Sequence, residues 1–531
     1  MPSPAAPSRL PLAALLAIVL LGAAMRLWQA RESLWLDELH TAWCAIGSLA
    51  EVAPRATMGN QSPLFFWLHW LLVQVIGPSE LTLRLPSLVA GSLLPVALYC
   101  LIRRWTSETW LAVLAAWLVV VDPKQIFYAT EARPYALVEL LAVLHVAVLV
   151  ELLDRPTLWL RLAWVLGAGL LFHLHYTAAL LLASEVFAIA IAIRTDEDRI
   201  AYRRRDLALD LLLIALLTTP ALGNLRAIYG RRQNWEAFVD PQPIWAIFTL
   251  LPWTRTALVL PIAQAFCWYR SRATSDNRPA VIACSWLFVP LVLAWIATST
   301  DVARIFLLRY LVVSAPAAIL LTVLGLRLIL WRRVQFAVGL TIAVLAITLS
   351  PITRQFATDG RFIADRHGDW RSAIAHFNRQ PDHDRDPVLL ATQLIEADSL
   401  RGSPDSALAA YCLFPVHSLY LIDADPAITI PLPRTNPGEL DPQVRELVRS
   451  RCAAWLIVGG SAATVDAITQ AMQASLEEGS AFRVQGSGDD DLQEGSQKSV
   501  VSGRESEWQA AQRHSFGTVH VLRFEALDRN P

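Results

Sequence analysis

The chain has 531 residues, of which 55% are hydrophobic and 17% are charged, and its formal net charge is −1 at pH 7. A soluble domain carries roughly a quarter charged residues, so this composition indicates a membrane protein. The near-neutral balance and a pI of about 6.8 exclude the strongly basic charge that is typical of nucleic-acid-binding proteins.

Apolar segments that are long enough, or nearly so, to cross about 30 Å of hydrocarbon recur from residue 10 to about residue 352. They predict an all-α polytopic membrane domain, residues 1–352, with about eleven transmembrane helices. The predicted spans lie near residues 10–28, 81–102, 109–126, 135–153, 158–173, 177–193, 207–225, 254–269, 279–298, 311–330 and 334–352.

Arginines predict the orientation of these spans, because cytoplasmic loops carry an excess of Lys and Arg. Arginine groups occur in alternate loops, which we therefore expect in the cytoplasm, with the N-terminus inside and the C-terminus outside. The groups are Arg103 and Arg104; Arg155 and Arg161; Arg194, Arg203, Arg204 and Arg205; Arg270 and Arg272; and Arg332 and Arg333.

Two apolar segments near the N-terminus need separate interpretation. "SPLFFWLHWLLVQVIG" (62–77) is short and begins with Ser-Pro, so it is predicted to lie in the outer interface, with Trp67 and Trp70 at headgroup depth. The first apolar run ends near Arg26 and lacks a clear small-x-small cleavage site. It is therefore predicted to be an uncleaved anchor and not a signal peptide.

The composition changes after about residue 353 and predicts a small extracytoplasmic α/β domain, residues 353–531. "DWRSAIAHFNRQ" (369–380) has the pattern of an amphipathic helix. "PVLLAT" (387–392), "AAWLIVGG" (453–460) and "GTVHVLRFEA" (517–526) have the patterns of strands. Residues 486–506 have few apolar side chains and predict a flexible insertion.

The six cysteines show no metal-ligand spacing. Cys412 and Cys452 share the predicted outer domain, and the sequence leaves open whether they are bridged. No internal repeat, Walker-type loop or GxGxxG loop is present, so a nucleotide-dependent reaction lacks its usual signature.

The predicted outer loops gather acids, bases and aromatic residues on one side of the membrane. The first, residues 29–80, carries Arg31, Glu32, Asp37, Glu38, His40, Glu51, Arg55 and His69. The second, "DPKQIFYATEARPYAL" (122–137), carries Lys124, Glu131, Arg133 and Tyr135. Others are "HLHYT" (173–177), "YGRRQNWEAFVDPQP" (229–243) and "STDVARIFLLRYL" (299–311).

Ionisable residues at membrane depth indicate a functional site. A single arginine there is explained equally well by snorkelling to headgroup phosphates, and Glu131 with Arg133 by a local ion pair. Neither explains why acids, bases and aromatics from several loops share one face. Carboxylates suit the deprotonation of a hydroxyl, and guanidinium groups suit a lipid phosphate. These residues predict transfer of a group carried on an anionic lipid.

Five stretches resemble the GT-C superfamily of membrane glycosyltransferases, closest to the branch with protein O-mannosyltransferases, aminoarabinose transferases of lipid A and bacterial Rgt-type sugar transferases. Acidic "LWLDELHTA" (34–42) resembles the first-loop motif, and residues 60–93 resemble the next proline-aromatic helix with its Arg-x-Pro-Ser-x-x-x-Gly element, which contains Arg84. "FYATEARPYAL" (127–137) resembles the second-loop motif. "RYLVVSAP" (309–316) and "GDWRSAIAHF" (368–377) resemble later elements.

The resemblance implies roles for particular residues. It makes Asp37 the general base and Glu131 a second acid that helps to position the acceptor or a divalent ion. For Glu38, a catalytic contribution and a role limited to shaping the loop are both open. The substrate-binding residues that we predict are Arg133, Tyr135, Lys124, His175, Tyr176, Arg304, Arg309, Tyr310 and Arg84.

The sequence also departs from the family pattern. Gln61-Ser62-Pro63 stands where the aminoarabinose branch has a charged residue and two prolines, so that donor is not implied. Metal use differs among GT-C enzymes, and the resemblance leaves a divalent ion open. His173 and His175, at i and i+2, do not share a helix face; of the two, His175 beside Tyr176 better matches the family's His-Tyr element.

We therefore predict an inverting glycosyltransferase at the outer face of the cytoplasmic membrane. A polyprenyl-phosphate sugar is the expected donor, and Arg304 and Arg309, with Lys124, are expected to hold its phosphate. The acceptor is a glycan, lipid A or another lipid, or a protein, and the sequence does not decide among them. The alternatives are a non-catalytic GT-C-like envelope protein and, less favoured, a transporter, for which the sequence lacks the internal repeat.

Overall fold

The structure, a computed structural model, describes residues 9–195, 200–232, 234, 239–250, 278–329, 331–364, 368–401, 405–477 and 508–526. The predicted span 254–269 and the predicted insertion 486–506 lie outside these residues. The chain forms two compact units: Met1–Arg31 with Cys44–Ala364, called the membrane unit below, and Glu32–Trp43 with Asp365–Pro531, called the outer unit after its predicted location.

The membrane unit is helical. Its helices over the described residues, with α2 beginning in the outer unit, are α1 Arg9–Gln29, α2 Leu36–Ile46, α3 Leu49–Met58, α4 Pro63–Ile76, α5 Glu80–Thr106, α6 Thr109–Val120, α7 Pro123–Ala129, α8 Tyr135–Asp154, α9 Leu158–Leu174, α10 Ala179–Thr195, α11 Arg204–Thr218, α12 Leu222–Gly230, α13 Arg278–Ser299, α14 Ala315–Leu326, α15 Arg332–Thr348 and α16 Pro351–Asp359.

The prediction of a polytopic helical membrane protein is confirmed. Among the described residues, seven helices are long and apolar enough to cross a membrane, and each coincides with a predicted span. The predicted span 109–126 corresponds to α6 and α7, which meet at a 65° bend, and the spans 158–173 and 311–330 correspond to the shorter apolar helices Leu158–Leu174 and Val312–Leu326. The count of eleven spans and the orientation stay predictions.

Helix α5 organises the membrane unit by packing against α1, α6, α7 and α8. One group of polar side chains buried between α8, α9 and α10 is paired, which offsets the cost of removing these groups from water. His145 of α8 lies 2.9 Å from the Glu185 carboxylate of α10, and the Trp164 indole of α9 donates to the same carboxylate at 2.9 Å. This network joins three consecutive helices in the apolar interior.

Helix α4 has the two faces that the interfacial prediction requires. Phe65, Phe66 and His69 are buried, whereas Trp67 and Leu71 are exposed. The Trp70 indole donates to the Gly47 carbonyl at 3.0 Å. With 14 residues, α4 is shorter than an ordinary span, and its position in the interface stays a prediction.

The outer unit contains the first part of α2 and a sheet with helices, so the predicted small C-terminal α/β domain is confirmed. Strands β1 Val388–Ala391, β2 Thr429–Pro431, β3 Ala453–Gly459, β4 Trp508–Phe516 and β5 Val519–Ala526 form a sheet in the order β2-β1-β3-β5-β4. Both pairings of β1 are parallel, whereas β5 pairs antiparallel with β3 and β4. The helices are α17 Trp370–Phe377, α18 Ser406–Cys412, α19 Pro442–Arg451 and α20 Ala462–Glu477.

The helix and three strands predicted for this domain correspond to α17, β1, β3 and β5. The short β2 and the largely exposed β4 were not predicted, because neither has the buried pattern of a central strand. Val458, Met472 and Phe524 belong to the core between the sheet and α20. Cys412 and Cys452 are free thiols, and burial raises the pKa of Cys412 to about 12.

Two histidine rings of the outer unit lie side by side. The His376 ring of α17 lies 4.2 Å from the His514 ring of β4 between centroids. Burial, and then the nearby His514 and Arg379, lower the pKa of His376. A pKa below the unfolded value means that the unfolded chain binds the proton more readily, so this contribution to stability is present above the unfolded pKa and is lost as the pH falls through the folded pKa.

We therefore expect full-length protein to unfold at a lower temperature at pH 5 than at pH 7.5, and His376→Gln to reduce that difference. Thermal unfolding followed by tryptophan fluorescence measures both. Equal pH sensitivity of wild type and variant would contradict the assignment.

Candidate active site

The Arg-x-Pro-Ser-x-x-x-Gly element of α5 holds residues 122–137, the predicted second outer loop, in place. Arg84 is fully buried and donates to the Ala30 carbonyl, just after α1, at 2.8 Å. Ser87 donates to the Arg133 carbonyl at 2.9 Å. A Cβ added at Gly91 would overlap the Cβ of Ala129 in α7 and would lie 3.2 Å from its Cα. The three positions thus fix α1, the second loop and α7 against α5.

The close approach at Gly91 predicts a large loss of stability on substitution. Gly91→Leu forces α7 away from α5, and overpacking of this kind costs about 1–3 kcal/mol. Gly223→Leu in α12 is the matched control, because a Cβ at Gly223 meets no atom within 4 Å. We expect the melting temperature of detergent-solubilised protein to fall for Gly91→Leu only. A similar fall for both would show that the close packing at Gly91 is not responsible.

The second loop presents buried charges between α7 and α8. Asp122 caps α7 by accepting from the amides of Lys124 and Gln125, and Pro123 follows at the first position, where a missing N–H costs nothing. After α7 the chain turns, and the Arg133 amide donates to the Glu131 carbonyl at 2.8 Å. Glu131 is 1% exposed and Arg133 is 4% exposed, so their charged groups are held away from bulk water.

A run of aromatic rings leads from this loop to the late Arg-Tyr element. Centroid distances are 5.1 Å from Tyr128 to Tyr135, 5.6 Å from Tyr135 to His175 and 5.8 Å from His175 to Tyr310. Thr177 Oγ lies 2.7 Å from His175 Nδ1 and donates to the Tyr310 carbonyl at 3.0 Å. Residues that are far apart in the sequence are therefore packed side by side.

The His175–Tyr310 end of this run opens into a cavity of about 520 Å³ within the membrane unit. Among the residues that the structure describes, the charged side chains that line it are all cationic: Arg226, Arg232 and Arg304. The other lining residues are polar, aromatic or apolar: Asn60, Gln61, Ser62, His175, Tyr176, Thr177, Leu222, Leu225, Ile228, Tyr229, Ala303, Ile305 and Tyr310. Such a lining suits a ligand with an anionic head and an apolar body.

The three arginines differ in their partners. Arg304 forms an ion pair with Asp301 at 2.9 Å. The Arg232 guanidinium lies over the Tyr229 ring at 4.4 Å, and within the described ranges no carboxylate pairs with Arg226 or Arg232. Neighbouring Arg231 does not line the cavity and donates instead to the Thr57 carbonyl at 2.6 Å. Two cationic groups of the cavity thus have no counter-charge among the residues that the structure describes.

One wall of the cavity is held by a small polar network. Asn224 donates to the Tyr176 hydroxyl at 2.7 Å and to the Gln61 carbonyl at 3.1 Å, and Ser62 donates to the carbonyl of His173. The segment Gln61-Ser62-Pro63, at which the sequence departs from the aminoarabinose branch, therefore lines this cavity in part. A change there alters the shape of the proposed ligand site.

Only some of the predicted substrate-binding residues line the cavity. His175, Tyr176, Arg304 and Tyr310 line it. Tyr135 contacts His175, and the Arg309 guanidinium lies 5.6 Å from the Tyr310 ring. Lys124 is exposed at the start of α7 and Arg84 is buried against Ala30, and neither lines the cavity.

The substrate-binding residues predicted from the sequence do not include Arg226, Arg232, Asn60, Gln61 or Tyr229, although Tyr229 and Arg232 lie in the predicted outer loop 229–243. Arg226 directly follows the predicted span 207–225, where an arginine is readily explained by snorkelling. The signal that could have identified it is the cluster Arg226, Arg231 and Arg232 at an end predicted to be outside, against the positive-inside bias.

The acidic pair of the first loop lies in the outer unit and its two members differ. Glu38 is fully buried, and its Oε2 accepts from the Trp35 amide at 3.3 Å, so it closes the first turn of α2 in the manner of a capping-box glutamate. Asp37, in the same turn, is partly exposed. The field of the helix N-terminus favours negative charge at this position. The geometry thus favours the loop-shaping role for Glu38.

Within the described residues, no group of three or more His, Cys, Asp or Glu side chains is placed to hold a metal ion. The histidines of "HLHYT" are directed differently: His173 Nε2 lies 2.9 Å from the Leu217 carbonyl, whereas His175 lies near Thr177. The use of a divalent ion stays open.

Comparison with known proteins gives a family match and a fold match. The family model for dolichyl-phosphate-mannose-protein mannosyltransferase matches residues 60–223. The fold is similar to that of ArnT from Cupriavidus metallidurans bound to undecaprenyl phosphate, with a TM-score of 0.51 and 13% identity over 97% of this chain and 98% of that chain. For ArnT of the same organism in the apo state the TM-score is 0.49, with 13% identity over 87% and 94% of the two chains. None of the curated proteins compared with the sequence matches it.

Proposed function

We propose that this chain, a membrane protein with the fold of the GT-C glycosyltransferases, transfers a sugar from a polyprenyl-phosphate-linked donor to an acceptor hydroxyl. The observation that carries the proposal is the cavity of the membrane unit, lined by Arg226, Arg232 and Arg304 beside apolar and aromatic side chains. We place the reaction at the outer face of the cytoplasmic membrane, in line with the distribution of arginines between loops.

The cavity matches the chemistry of such a donor. Guanidinium groups bind phosphate through paired, charge-assisted hydrogen bonds, and the aromatic rings of Tyr176, Tyr229 and Tyr310 offer faces on which a sugar or an isoprene unit can pack. A cavity of about 520 Å³ has the size of a site for a small ligand. The similarity in fold to an ArnT structure with bound undecaprenyl phosphate makes a polyprenyl phosphate the first ligand to test.

In the proposed reaction, Asp37 takes the proton of the acceptor hydroxyl. The hydroxyl oxygen attacks the anomeric carbon of the donor sugar from the side opposite the phosphate. The bond between the anomeric carbon and the phosphate oxygen breaks, and its electron pair leaves with the polyprenyl phosphate. The arginines stabilise the charge that develops on this leaving group. A single displacement of this kind inverts the anomeric configuration. Glu131 helps to position the acceptor.

The test is turnover by purified full-length protein in lipid nanodiscs with labelled polyprenyl-phosphate sugars. We expect release of polyprenyl phosphate and formation of a product of inverted configuration when an acceptor is present. Mass analysis of envelope glycans from a strain that lacks the protein identifies the sugar and the acceptor. Binding of polyprenyl phosphate without sugar release from any donor, together with unchanged glycans, would instead support a non-catalytic binding protein.

A further inference from the structure

The segment that carries Asp37 belongs structurally to the C-terminal domain. Residues Glu32–Trp43 cluster with Asp365–Pro531 and not with the helices on either side of them in the sequence. The sequence distance between these two parts is more than three hundred residues, so their contact is a feature of the tertiary structure.

The contact just before α2 is a reciprocal exchange of hydrogen bonds. The Leu34 amide donates to the Tyr420 hydroxyl at 2.9 Å, and the Arg371 amide donates to the Ser33 hydroxyl at 3.2 Å. The two hydroxyl groups lie 3.4 Å apart. Tyr420 of the domain thus accepts a hydrogen bond from an amide of the segment. Ser33 of the segment accepts one from an amide in the first turn of α17, where the amides have no acceptor within the helix. Leu34 is fully buried, so its amide has no access to bulk water as a substitute partner.

The other end of the segment is held by aromatic packing. The His40 ring lies 5.8 Å from Tyr411 and 5.6 Å from Phe414, and the Trp43 ring lies 5.7 Å from Tyr411. All four side chains are buried. Asp37 lies between the two attachments, three residues after Leu34 and three residues before His40. Both ends of the turn that contains it are therefore fixed to one domain.

We propose that the C-terminal domain positions the catalytic base, and that Tyr420 is the positioning residue that acts through Asp37. The inference rests on the proposed function of Asp37. A segment whose buried amide loses its hydrogen-bond partner opens more readily, and a base works only within hydrogen-bond reach of the proton that it takes. Small misplacements cost large factors in rate. By accepting from the Leu34 amide, the Tyr420 hydroxyl restricts the motion of the chain directly before α2.

The experiment compares Tyr420→Phe with wild type in full-length protein in nanodiscs, by steady-state kinetics and by hydrogen exchange of peptides covering residues 33–36. We expect kcat to fall about 10-fold, KM for the lipid-linked donor to stay within about twofold, and the Leu34 amide to exchange faster. Tyr99→Phe in α5 is the matched control, because in the described part of the chain no group bonds to the Tyr99 hydroxyl. It should change none of the three quantities.

Two further variants separate positioning from loss of structure. Ser33→Ala removes the other hydroxyl of the exchange, so we expect it to lower kcat in the same way and the double variant to lose less than the product of the two effects. In an Asp37→Asn background, Tyr420→Phe should cause no further loss of rate. A purely structural role would reduce the residual rate in that background as well.

The outcomes are distinct. Unchanged kcat in Tyr420→Phe, a donor KM that rises instead, or a further loss in the Asp37→Asn background would each overturn the positioning role. Unchanged exchange at Leu34 would overturn the contact itself. If the wild-type protein transfers no sugar, the proposed function is wrong, and so is the positioning of a base. If the wild type transfers sugar but Tyr420→Phe gives one of the contradicting results above, only the positioning role is wrong.

Discussion

Replacing Asp37 by asparagine is expected to lower kcat for sugar transfer about 1,000-fold, which lies within the range that a general base contributes. Asparagine keeps the size of the side chain and its place in the first turn of α2, but it cannot accept the acceptor's proton. The binding of polyprenyl phosphate should be unchanged, because Asp37 is not among the residues that line the cavity with Arg226 and Arg232. Single-turnover kinetics with labelled donor and a separate binding titration measure the two quantities.

Glu38→Gln is the matched control for Asp37→Asn. It makes the same chemical change one residue away, and a glutamine can still accept from the Trp35 amide, as glutamine does in a capping box. We expect its kcat to stay within a few-fold of wild type. Glu38→Ala removes the cap and should reduce both kcat and thermal stability. A loss in Glu38→Gln as large as that in Asp37→Asn would move the base to Glu38.

The membrane helices were predictable because their signal is local. Each long apolar run has to satisfy its own backbone in the bilayer, and only a helix does so. The Arg-x-Pro-Ser-x-x-x-Gly element was predictable as a motif, but the contact of Gly91 with Ala129 was not, since nothing in either segment specifies the other. Helix α9 has 17 residues, which is close to the shortest apolar segment that can be identified as a transmembrane helix.

The candidate site was only partly predictable, because it is built from long-range packing. "LWLDELHTA" has the same apolar pattern whether it packs on membrane helices or on another domain, so no sequence feature links it with Tyr420. Tyr420 itself stands in a loop without a motif. The cavity combines segments around residues 60, 175, 226 and 304, and their convergence follows from the fold and not from any one of them.

The second large effect is expected at the cavity arginines. Replacing Arg226 and Arg232 together by glutamine should weaken the binding of polyprenyl phosphate about 100-fold, at roughly 1.5 kcal/mol for each lost charge-assisted hydrogen bond. Binding of the uncharged polyprenol should change little, because its apolar contacts are retained. The ratio of the two dissociation constants, measured in nanodiscs, reports the phosphate contact directly. Arg304→Gln should act in the same direction but less strongly, since Asp301 already offsets part of its charge.

Arg231→Gln is the control for the double variant, because Arg231 stands next to Arg232 but donates to the Thr57 carbonyl and not into the cavity. It removes the same charge from the same end of α12, so a general electrostatic effect would weaken phosphate binding in this variant too. We expect the preference of Arg231→Gln for polyprenyl phosphate over polyprenol to equal that of wild type. If the double variant keeps that preference as well, the phosphate is bound elsewhere, and exposed Lys124 and partly buried Arg309 become the cations to test next.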